Sequence, residues 1–270
     1  MISLPNVHPY TPNKLSVPVN RNNMFVLMAL NKGATLFESS GFACSIPPRE
    51  PSKYHIRMSQ IGDCARKQWF YLFEPEKMAE LEREPLYKHE AIRATNVGNI
   101  LEEYTIALLR IGGLEVTDEQ KELKDLDGLI SGHIDGALII NMTKFLLELK
   151  ALNMNSAAKI VNSGLKKGNV VYYSQMQYYM FKMVLKSGYF VAFVKDSGQY
   201  YVELIEANAE YQKMLRQRAI IIGNTHDVSK IPEKHIVREC TFCPAKQLCA
   251  KLEGGEKEFV KKFEEFHQIL

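Results

Sequence analysis

The most constraining stretch of this chain is residues 129–150, which read LISGHIDGALIINMTKFLLELK. Two apolar runs, residues 137–140 and 145–147, flank a turn-like segment at residues 141–144. Short apolar runs on both sides of turn residues predict a β-hairpin rich in aliphatic side chains. We therefore expect the rest of the fold to be organised around this hairpin.

Three charged residues interrupt the apolar pattern of the hairpin. Side chains alternate between the two faces of a strand, so Glu148 and Lys150 share one face and Leu149 points to the other. Asp135, on the preceding strand, is expected to reach the same face. Two carboxylates and an ammonium on an apolar sheet are costly to bury unless they pair or hold a cation. The pattern therefore predicts a divalent metal site.

The ligand types indicate the chemistry of such a site. Mg²⁺ prefers carboxylate oxygens and keeps several waters, so Asp135 and Glu148 would leave room for a phosphate oxygen. Lys150, beside the attacking water, would lower the pKa of that water or stabilise the negative charge that develops on the phosphate. The alternative is a surface hairpin with solvated charges, which is common for a single Glu-x-Lys. The sequence GHIDG at residues 132–136 favours the metal site.

The sequences GHIDG and ELK, at residues 132–136 and 148–150, resemble the Asp…Glu-x-Lys core of the PD-(D/E)XK nucleases. More narrowly, the chain resembles the RecB-like branch, which includes the iron–sulfur exonucleases of CRISPR adaptation (the Cas-four type). The resemblance covers roughly residues 58–250. It implies an α/β restriction-endonuclease-like core, with a central mixed β-sheet flanked by helices and a cysteine-ligated iron–sulfur subdomain.

Two further motifs of that family are matched. The family has a helical Gly-x-x-x-His or Glu, and here Gly98 and Glu102 occupy these places, with Glu102 where many relatives have His. The later Gln-x-x-x-Tyr is matched by Gln175 and Tyr179, which the resemblance implies would position the substrate. The resemblance also implies that Glu102, Asp135 and Glu148 bind Mg²⁺ or Mn²⁺ and that Lys150 assists the attacking water. Together with Gln175 and Tyr179, these are the catalytic residues that it implies.

The resemblance also implies an activity, the hydrolysis of phosphodiester bonds in DNA from an end of single-stranded or resected DNA. The setting would be phage or bacterial recombination and repair, or the trimming of spacer precursors in CRISPR adaptation. We favour recombination and repair because the sequence shows no partner-specific feature. A non-catalytic DNA-binding module of the same fold is the alternative, and the presence of both acids and the lysine argues against it. Homo-oligomers and recombination or adaptation partner proteins are compatible with the motifs.

Four of the five cysteines form a pattern typical of a metal site. Three are spaced Cys-x2-Cys-x5-Cys and the fourth lies far earlier in the chain, giving the set Cys64, Cys240, Cys243 and Cys249. Disulfides would leave an unpaired thiol in a chain without an export signal. Four thiolates suit a [4Fe–4S] cluster or a structural Zn²⁺, as in a zinc-stabilised nucleic-acid protein, and the spacing does not decide between them. The resemblance to iron–sulfur exonucleases favours the [4Fe–4S] cluster.

The composition is that of a globular protein, with 270 residues of which 46% are hydrophobic and 24% charged. The net charge of +3 is too small by itself to indicate a nucleic-acid partner. No apolar run approaches the ~18 residues that a membrane span requires, and the start lacks the features of a secretory signal. We expect no membrane partner and a cytoplasmic location, in the host if the gene is phage-encoded.

Residues 153–169 follow the hairpin and carry three lysines and two glycines. This composition predicts a flexible basic loop beside the metal site, suited to contact with a DNA backbone through charge rather than base identity. A plain solvated loop is the alternative. The DNA-binding candidates in this segment are Lys159, Lys166 and Lys167.

The remaining periodicity predicts three helices and a second hairpin. The helices are expected at residues 91–111, 171–185 and 208–222, and the hairpin strands at residues 189–194 and 200–205, extending the same sheet. Three domains are expected: an N-terminal extension (1–57), the nuclease domain with its cluster (58–252) and a C-terminal helix (253–270).

Single residues carry more specific expectations. Ser59 is expected to cap the helix that follows it, and Asn208 the helix at residues 208–222. Gly98 indicates close approach of another backbone. His133 is expected to be a hydrogen-bonded structural residue, with metal binding or phosphate contact as the alternative. Basic side chains of the helix at residues 208–222 are expected to be exposed and could equally form a solvated face, namely Lys213, Arg216 and Arg218.

Overall fold

The computed structural model describes residues 24–26, 28–30, 32, 55–81, 85–226, 230, 240 and 243–250. These residues form a mixed α/β structure in which eight strands make two sheets. Among them, no helix combines the length and the apolar character that crossing a membrane would need.

The larger sheet has five strands in the order β2-β5-β6-β7-β8. Its strands are β2 (Glu115–Thr117), β5 (Gly136–Ile140), β6 (Thr143–Leu152), β7 (Ser187–Val194) and β8 (Gln199–Glu206). The β6–β7 pair is parallel and the other three pairs are antiparallel. The predicted central mixed sheet and both predicted hairpins are therefore confirmed.

A smaller sheet of three strands was not predicted. It consists of β1 (Ile56–Arg57), β3 (Glu122–Asp125) and β4 (Ile130–His133), in the order β1-β4-β3. The sequence suggested only a charged connection at residues 117–127. Strand β3 within it has no buried residue, so no apolar alternation marks it as a strand.

Helices flank the sheets. They are α1 (Ala65–Phe73), α2 (Pro75–Leu81), α3 (Pro85–Ile111), α4 (Met154–Ser163), α5 (Leu165–Gly168), α6 (Val170–Met183), α7 (Ala209–Asn224) and α8 (Lys246–Ala250). Two short 3-10 helices span Met58–Gln60 and Leu126–Gly128. Asparagine side chains begin three of the helices: Asn153, Asn169 and Asn208 accept hydrogen bonds from the third backbone N–H that follows them. The predicted cap at Asn208 is confirmed.

Each face of the larger sheet is covered by its own cluster of buried side chains. We call these two clusters the first core and the second core. In β6, Leu146 and Leu152 belong to the first core, whereas Leu147 and Leu149 belong to the second. Alternation along the strand therefore places Glu148 and Lys150 on the side of the first core. The second core also contains Val26 and Leu30, so the described N-terminal helical residues pack against this sheet.

The segment after β6 is helical, so the prediction of a flexible basic loop is wrong. Helices α4 and α5 occupy it, and Gly164 joins them with a positive φ of 76°. The carboxylate of Glu203 on β8 accepts a hydrogen bond from the Leu165 backbone N–H at 2.8 Å. Asn153 starts α4 by accepting from the Ser156 N–H at 2.8 Å. Local capping and one long-range bond thus order a segment whose glycines suggested flexibility.

Three residue-level expectations are also wrong. A Cβ built at Gly98 would meet no described atom within 4 Å, so no backbone approaches it closely. Ser59 lies inside a 3-10 helix, and Cys64 occupies the N-cap position of α1. Arg218 is buried rather than solvated, because it donates hydrogen bonds to the carbonyls of Ile61 and Asp63.

The predicted domain boundaries stay predictions. The C-terminal helix expected at residues 253–270 lies outside the described residues, as does most of the N-terminal extension. Of that extension, Val26 and Leu30 have been placed in the second core.

Candidate active site

The β5–β6 hairpin and the chain before it bring two carboxylates together. Asp135 lies between β4 and β5, and its Oδ2 accepts a hydrogen bond from the Leu149 backbone N–H at 2.7 Å. This bond fixes the Asp135 carboxylate against β6, one position away from both Glu148 and Lys150. Asp135 is 7% exposed and Glu148 is fully buried. The two acids therefore lie beside each other, although Asp135 stands just before β5 and not on the strand where the sequence placed it.

The ammonium of Lys150 lies between these carboxylates. Its Nζ donates to Glu148 Oε1 and, at 2.8 Å, to the Leu149 carbonyl. Its distance to Asp135 Oδ2 is 3.8 Å. The second carboxylate oxygen of Glu148, Oε2, is buried and has no hydrogen-bond partner among the described atoms. A buried carboxylate oxygen without a partner is costly, and a bound cation would offset that cost.

The electrostatics of the site follow from this crowding of charge. Burial and the neighbouring Asp135 raise the pKa of Glu148 above its ordinary range, although Lys150 acts in the opposite direction. Burial would lower the pKa of Lys150, but the carboxylates of Glu148, Asp135 and Glu102 outweigh it and raise that pKa. Lys150 is therefore held as a cation in this structure and can stabilise negative charge.

Glu102 reaches the site from another element. It lies on α3, and its charge raises the pKa of both Glu148 and Lys150. The structure therefore places the third predicted acid near the pair on the hairpin. The periodicity of α3 alone does not distinguish Glu102 from Glu103. Glu102 was selected because it matches the family motif, four residues after Gly98.

Helix α6 supports the site from the side of the first core. Tyr179 is almost completely buried, and its hydroxyl donates to the His133 carbonyl at 2.8 Å. Gln175, one turn earlier, is buried and close enough to the Tyr179 hydroxyl to act on its pKa. Burial and the charges of Glu148 and Asp135 raise the pKa of Tyr179. In this structure Tyr179 holds the end of β4, two residues before Asp135.

The His133 side chain does not have the structural role expected of it. The residue is exposed, and its backbone carbonyl rather than its ring takes part in the support of the site. Because backbone carbonyls are common to all residues, no sequence signal identified His133 as the partner of Tyr179.

Gly132 on β4 allows Tyr179 to approach the strand. A Cβ at position 132 would lie 2.8 Å from Met58 Cβ and 3.0 Å from the Tyr179 hydroxyl oxygen. Gly132→Ala is therefore expected to push Tyr179 away from the His133 carbonyl and to lower the free energy of unfolding by about 1–3 kcal/mol. Denaturant unfolding followed by circular dichroism measures this loss.

The matched control for that substitution is Gly98→Ala. Position 98 lies in helix α3 with open space around it, so alanine should leave stability unchanged or raise it by about 0.5–1 kcal/mol. Equal unfolding midpoints for Gly132→Ala and the wild type would contradict the close approach of Tyr179.

A second charged cluster lies on the other side of α6, and the sequence did not suggest it. The carboxylate of Asp125 on β3 accepts hydrogen bonds from Tyr178 at 2.7 Å, Lys182 at 3.1 Å and Arg216 at 3.0 Å. Burial would raise the pKa of Asp125, but these three donors outweigh it and lower the pKa to about 2. The cluster joins the smaller sheet to α6 and α7, and it takes no part in the candidate site.

The four cysteines of the predicted cluster, Cys64, Cys240, Cys243 and Cys249, are each half-buried. Arg66, which is buried, donates from Nη1 to Cys249 Sγ at 3.5 Å, so the start of α1 and helix α8 are neighbours. Burial raises the pKa of Cys243, and the nearby Cys64 and Cys240 contribute in the same direction. The structure thus brings the cysteines from distant parts of the chain into one region.

Within the ranges that the structure describes, no three side chains of His, Cys, Asp or Glu are grouped closely enough to hold a metal ion. This applies to the acids of the hairpin and to the cysteines alike. Both metal sites therefore stay predictions from the donor types and, at the hairpin, from the unpaired oxygen of Glu148.

The three candidate DNA-binding lysines lie on α4 and α5. Lys159 and Lys167 are exposed, and Lys166 is half-buried with its Nζ 6.0 Å from the centre of the Tyr173 ring. Helical rather than flexible backbone fixes their positions relative to the sheet.

Comparison with solved structures finds partial similarity to several proteins. The protein SSO0001 has 16% identity and a TM-score of 0.47, with coverage of 86% of this chain and 96% of that one. An alkaline exonuclease from Laribacter hongkongensis, also solved with dAMP, has 20% identity and a TM-score of 0.44, covering 62% of this chain and 85% of that one. A phage-related exonuclease from Haemophilus somnus has 14% identity and a TM-score of 0.33, covering 77% and 86%.

These values do not establish a family for the chain. No protein-family model matches it, and no curated protein matches it.

Proposed function

We propose that this chain is a nuclease that hydrolyses phosphodiester bonds in DNA with the help of Mg²⁺ or Mn²⁺, acting from a DNA end. The observation that carries the proposal is the fully buried Glu148, whose Oε2 has no hydrogen-bond partner in the described part of the chain and lies beside Asp135 and the Lys150 ammonium. A buried carboxylate oxygen without a hydrogen-bond partner is costly, and a cation held between Asp135 and Glu148 would offset that cost.

The donor set fits a hard cation. Carboxylate oxygens are the ligands that Mg²⁺ and Mn²⁺ prefer, and the candidate ligands are Glu102, Asp135 and Glu148. When bound, the ion would supply Lewis-acid stabilisation of the phosphate charge. The hydrogen bond from Leu149 to Asp135 Oδ2 leaves Oδ1 as the oxygen of that carboxylate available to a ligand.

The chain's own residues have distinct roles in this proposal. Water attacks phosphorus, one phosphorus–oxygen ester bond breaks, and the products are a phosphate monoester and an alcohol that takes up the proton. Lys150, held as a cation by its carboxylate neighbours, stabilises the negative charge that develops on the phosphate. The Tyr179 hydroxyl holds the His133 carbonyl two residues before Asp135, and Gln175 acts on that hydroxyl. Both residues would position the substrate through this segment.

DNA is the proposed substrate and partner. Lys159, Lys166 and Lys167 would contact the phosphate backbone, because α4 and α5 connect directly to the strand that carries Glu148. The exonuclease mode and the setting in recombination and repair rest on the family resemblance described above. Lysine contacts to phosphates would make DNA binding weaken as salt increases.

The test is a cleavage assay on end-labelled linear and circular DNA, single-stranded and duplex, with Mg²⁺, Mn²⁺ or a chelator. Degradation of linear DNA with survival of circular DNA, lost with the chelator, is the expected result. Asp135→Asn should abolish it. The control is Asp127→Asn, since Asp127 is exposed and has a positive φ of 53°, which asparagine tolerates. If DNA is cleaved neither with Mg²⁺ nor with Mn²⁺, the proposed function is overturned.

We also propose that Cys64, Cys240, Cys243 and Cys249 hold a [4Fe–4S] cluster, with Zn²⁺ as the alternative metal. The support is the donor set of four thiols in one region. Bound metal would fasten the start of α1 to α8 and so close a long loop, which restricts the unfolded chain.

Protein purified without oxygen is expected to be brown and to contain iron. Cys249→Ser should lose the colour and the iron, whereas Cys44→Ser, the cysteine outside the pattern, should keep both. Visible spectra and elemental analysis measure these outcomes. A colourless protein that contains zinc would contradict the iron–sulfur assignment and support the zinc alternative.

A further inference from the structure

The Lys150 ammonium has one side that the carboxylates do not cover. Its Nζ contacts Glu148 and the Leu149 carbonyl, and Asp135 lies at 3.8 Å. The ring of Tyr172 faces the ammonium from another direction, with the ring centre 5.6 Å from Nζ. A cation within about 6 Å of an aromatic ring centre is attracted by the negative charge of the ring face.

The Tyr172 ring is itself held in place. Its backbone N–H donates to the Asn169 cap at 3.1 Å, in the first turn of α6. The ring stacks on Phe190 with centres 6.1 Å apart and planes 28° apart. Phe190 is fully buried on β7, directly opposite Glu148 in the parallel β6–β7 pair. Tyr172 and Phe190 therefore form an aromatic wall beside the acid–lysine pair.

The register of the sheet leaves room for this wall. The residue opposite Lys150 on β7 is Ala192, which has a small side chain. Lys150 can therefore extend along the sheet while Tyr172 covers it from α6. A larger residue at position 192 would compete with the ammonium for this space.

We propose that Tyr172 is a positioning residue that holds the Lys150 ammonium in place through the face of its ring. The part of the inference that concerns DNA cleavage rests on the proposed function. The ring face attracts the ammonium without occupying an oxygen acceptor. The N–H groups of Lys150 therefore still donate to Glu148 and to the Leu149 carbonyl. The hydroxyl of Tyr172 is not needed for this role.

The kinetic test compares Tyr172→Phe and Tyr172→Leu. The phenylalanine variant keeps the ring face and should retain kcat, whereas the leucine variant should lower kcat roughly 3- to 30-fold with little change in KM. Replacing residue 172 with mono-, di- and trifluorophenylalanine keeps the shape of the ring while fluorine withdraws charge from its face. We expect kcat to fall stepwise along this series, and a constant kcat would overturn the proposal.

A second measurement does not depend on cleavage. Lysine acylation by an N-hydroxysuccinimide ester, read by mass spectrometry, consumes the neutral amine and so reports both how accessible each lysine is and how firmly it is held as a cation, with the exposed Lys159 as the internal reference. Labelling of Lys150 should rise several-fold in Tyr172→Leu and stay at the wild-type level in Tyr172→Phe. Equal labelling in all three proteins would overturn the proposal. If neither the wild type nor any variant cleaves DNA, this measurement still tests the role of Tyr172.

Discussion

Glu148→Gln is expected to abolish metal-dependent DNA cleavage while making the metal-free protein more stable at neutral pH. Glutamine keeps the size of the side chain and an oxygen that accepts from Lys150, but it cannot carry the charge that binds a cation. Loss of several kcal/mol of charge stabilisation corresponds to a decrease in kcat of roughly 10³-fold or more. Cleavage assays with Mg²⁺ and Mn²⁺ measure this loss.

The expected gain in stability follows from the sign of the pKa change. The folded state raises the pKa of Glu148, so its contribution to stability is fully present below about pH 4.3, the pKa of glutamate in an unfolded chain. That contribution is lost as pH rises through the folded pKa. Glutamine removes this dependence.

Thermal unfolding separates the two effects of Glu148→Gln. Without metal, the variant should melt above the wild type at neutral pH, and adding Mg²⁺ or Mn²⁺ should raise Tm only for the wild type. Glu115→Gln, at an exposed position on β2, should match the wild type in both respects. Wild-type cleavage by Glu148→Gln would exclude Glu148 from the active site.

Asp125→Asn is expected to destabilise the fold by about 2 kcal/mol at neutral pH. The three donors to Asp125 are Tyr178, Lys182 and Arg216, and asparagine would leave them without a charged acceptor. The folded state lowers the pKa of Asp125 to about 2, from about 3.9 in an unfolded chain. Its contribution is therefore present above pH 4 and lost as pH falls towards 2.

Urea unfolding of the wild type and Asp125→Asn across this pH range checks the prediction. The difference between their free energies of unfolding should shrink as the pH is lowered from about 4 to 2. Glu74→Gln removes an exposed ion pair, with Lys77 at 2.7 Å, and should cost less than about 1 kcal/mol. A pH-independent difference for Asp125→Asn would show that lost packing, rather than lost charge, is the cause.

The parts of the fold that follow from short-range patterns were predicted. The β5–β6 and β7–β8 hairpins connect neighbouring strands, so alternation and turn residues were sufficient. The smaller sheet depends instead on the parallel pairing of Ile56 with Ile130 and of Arg57 with Ser131. A two-residue strand that pairs with a partner so far away in the chain leaves no periodic pattern in the sequence.

The candidate site shows the same division. Glu148 and Lys150 lie on one strand, and strand geometry placed them on one face, whereas Asp135 reaches them from the residue before β5. Glu102 and Tyr179 come from helices, and only the family motifs singled them out. The supporting contacts were not predictable, because they join a side chain to a backbone carbonyl, as at His133, or join side chains far apart in the chain.

The buried arginine and the ordered basic segment have a common explanation. Arg218 was expected in solvent because arginine usually is, but two backbone carbonyls near Cys64 accept its donors. Residues 153–169 were expected to be a loop because of their glycines, but Gly164 supplies the positive φ that separates two helices. In both cases tertiary hydrogen bonds outweighed the general preference of the residue type.

The central position of β6 limits how the gene for this chain can change. Both neighbours of β6 are paired strands, and alternate residues of β6 serve the two cores. Deleting or inserting one codon within β6 would turn Glu148 and Lys150 towards the second core and bring leucines to the site. Length variation during evolution should therefore be confined to the exposed turn between β5 and β6, where Met142 is 98% exposed, while the strand itself changes only by substitution.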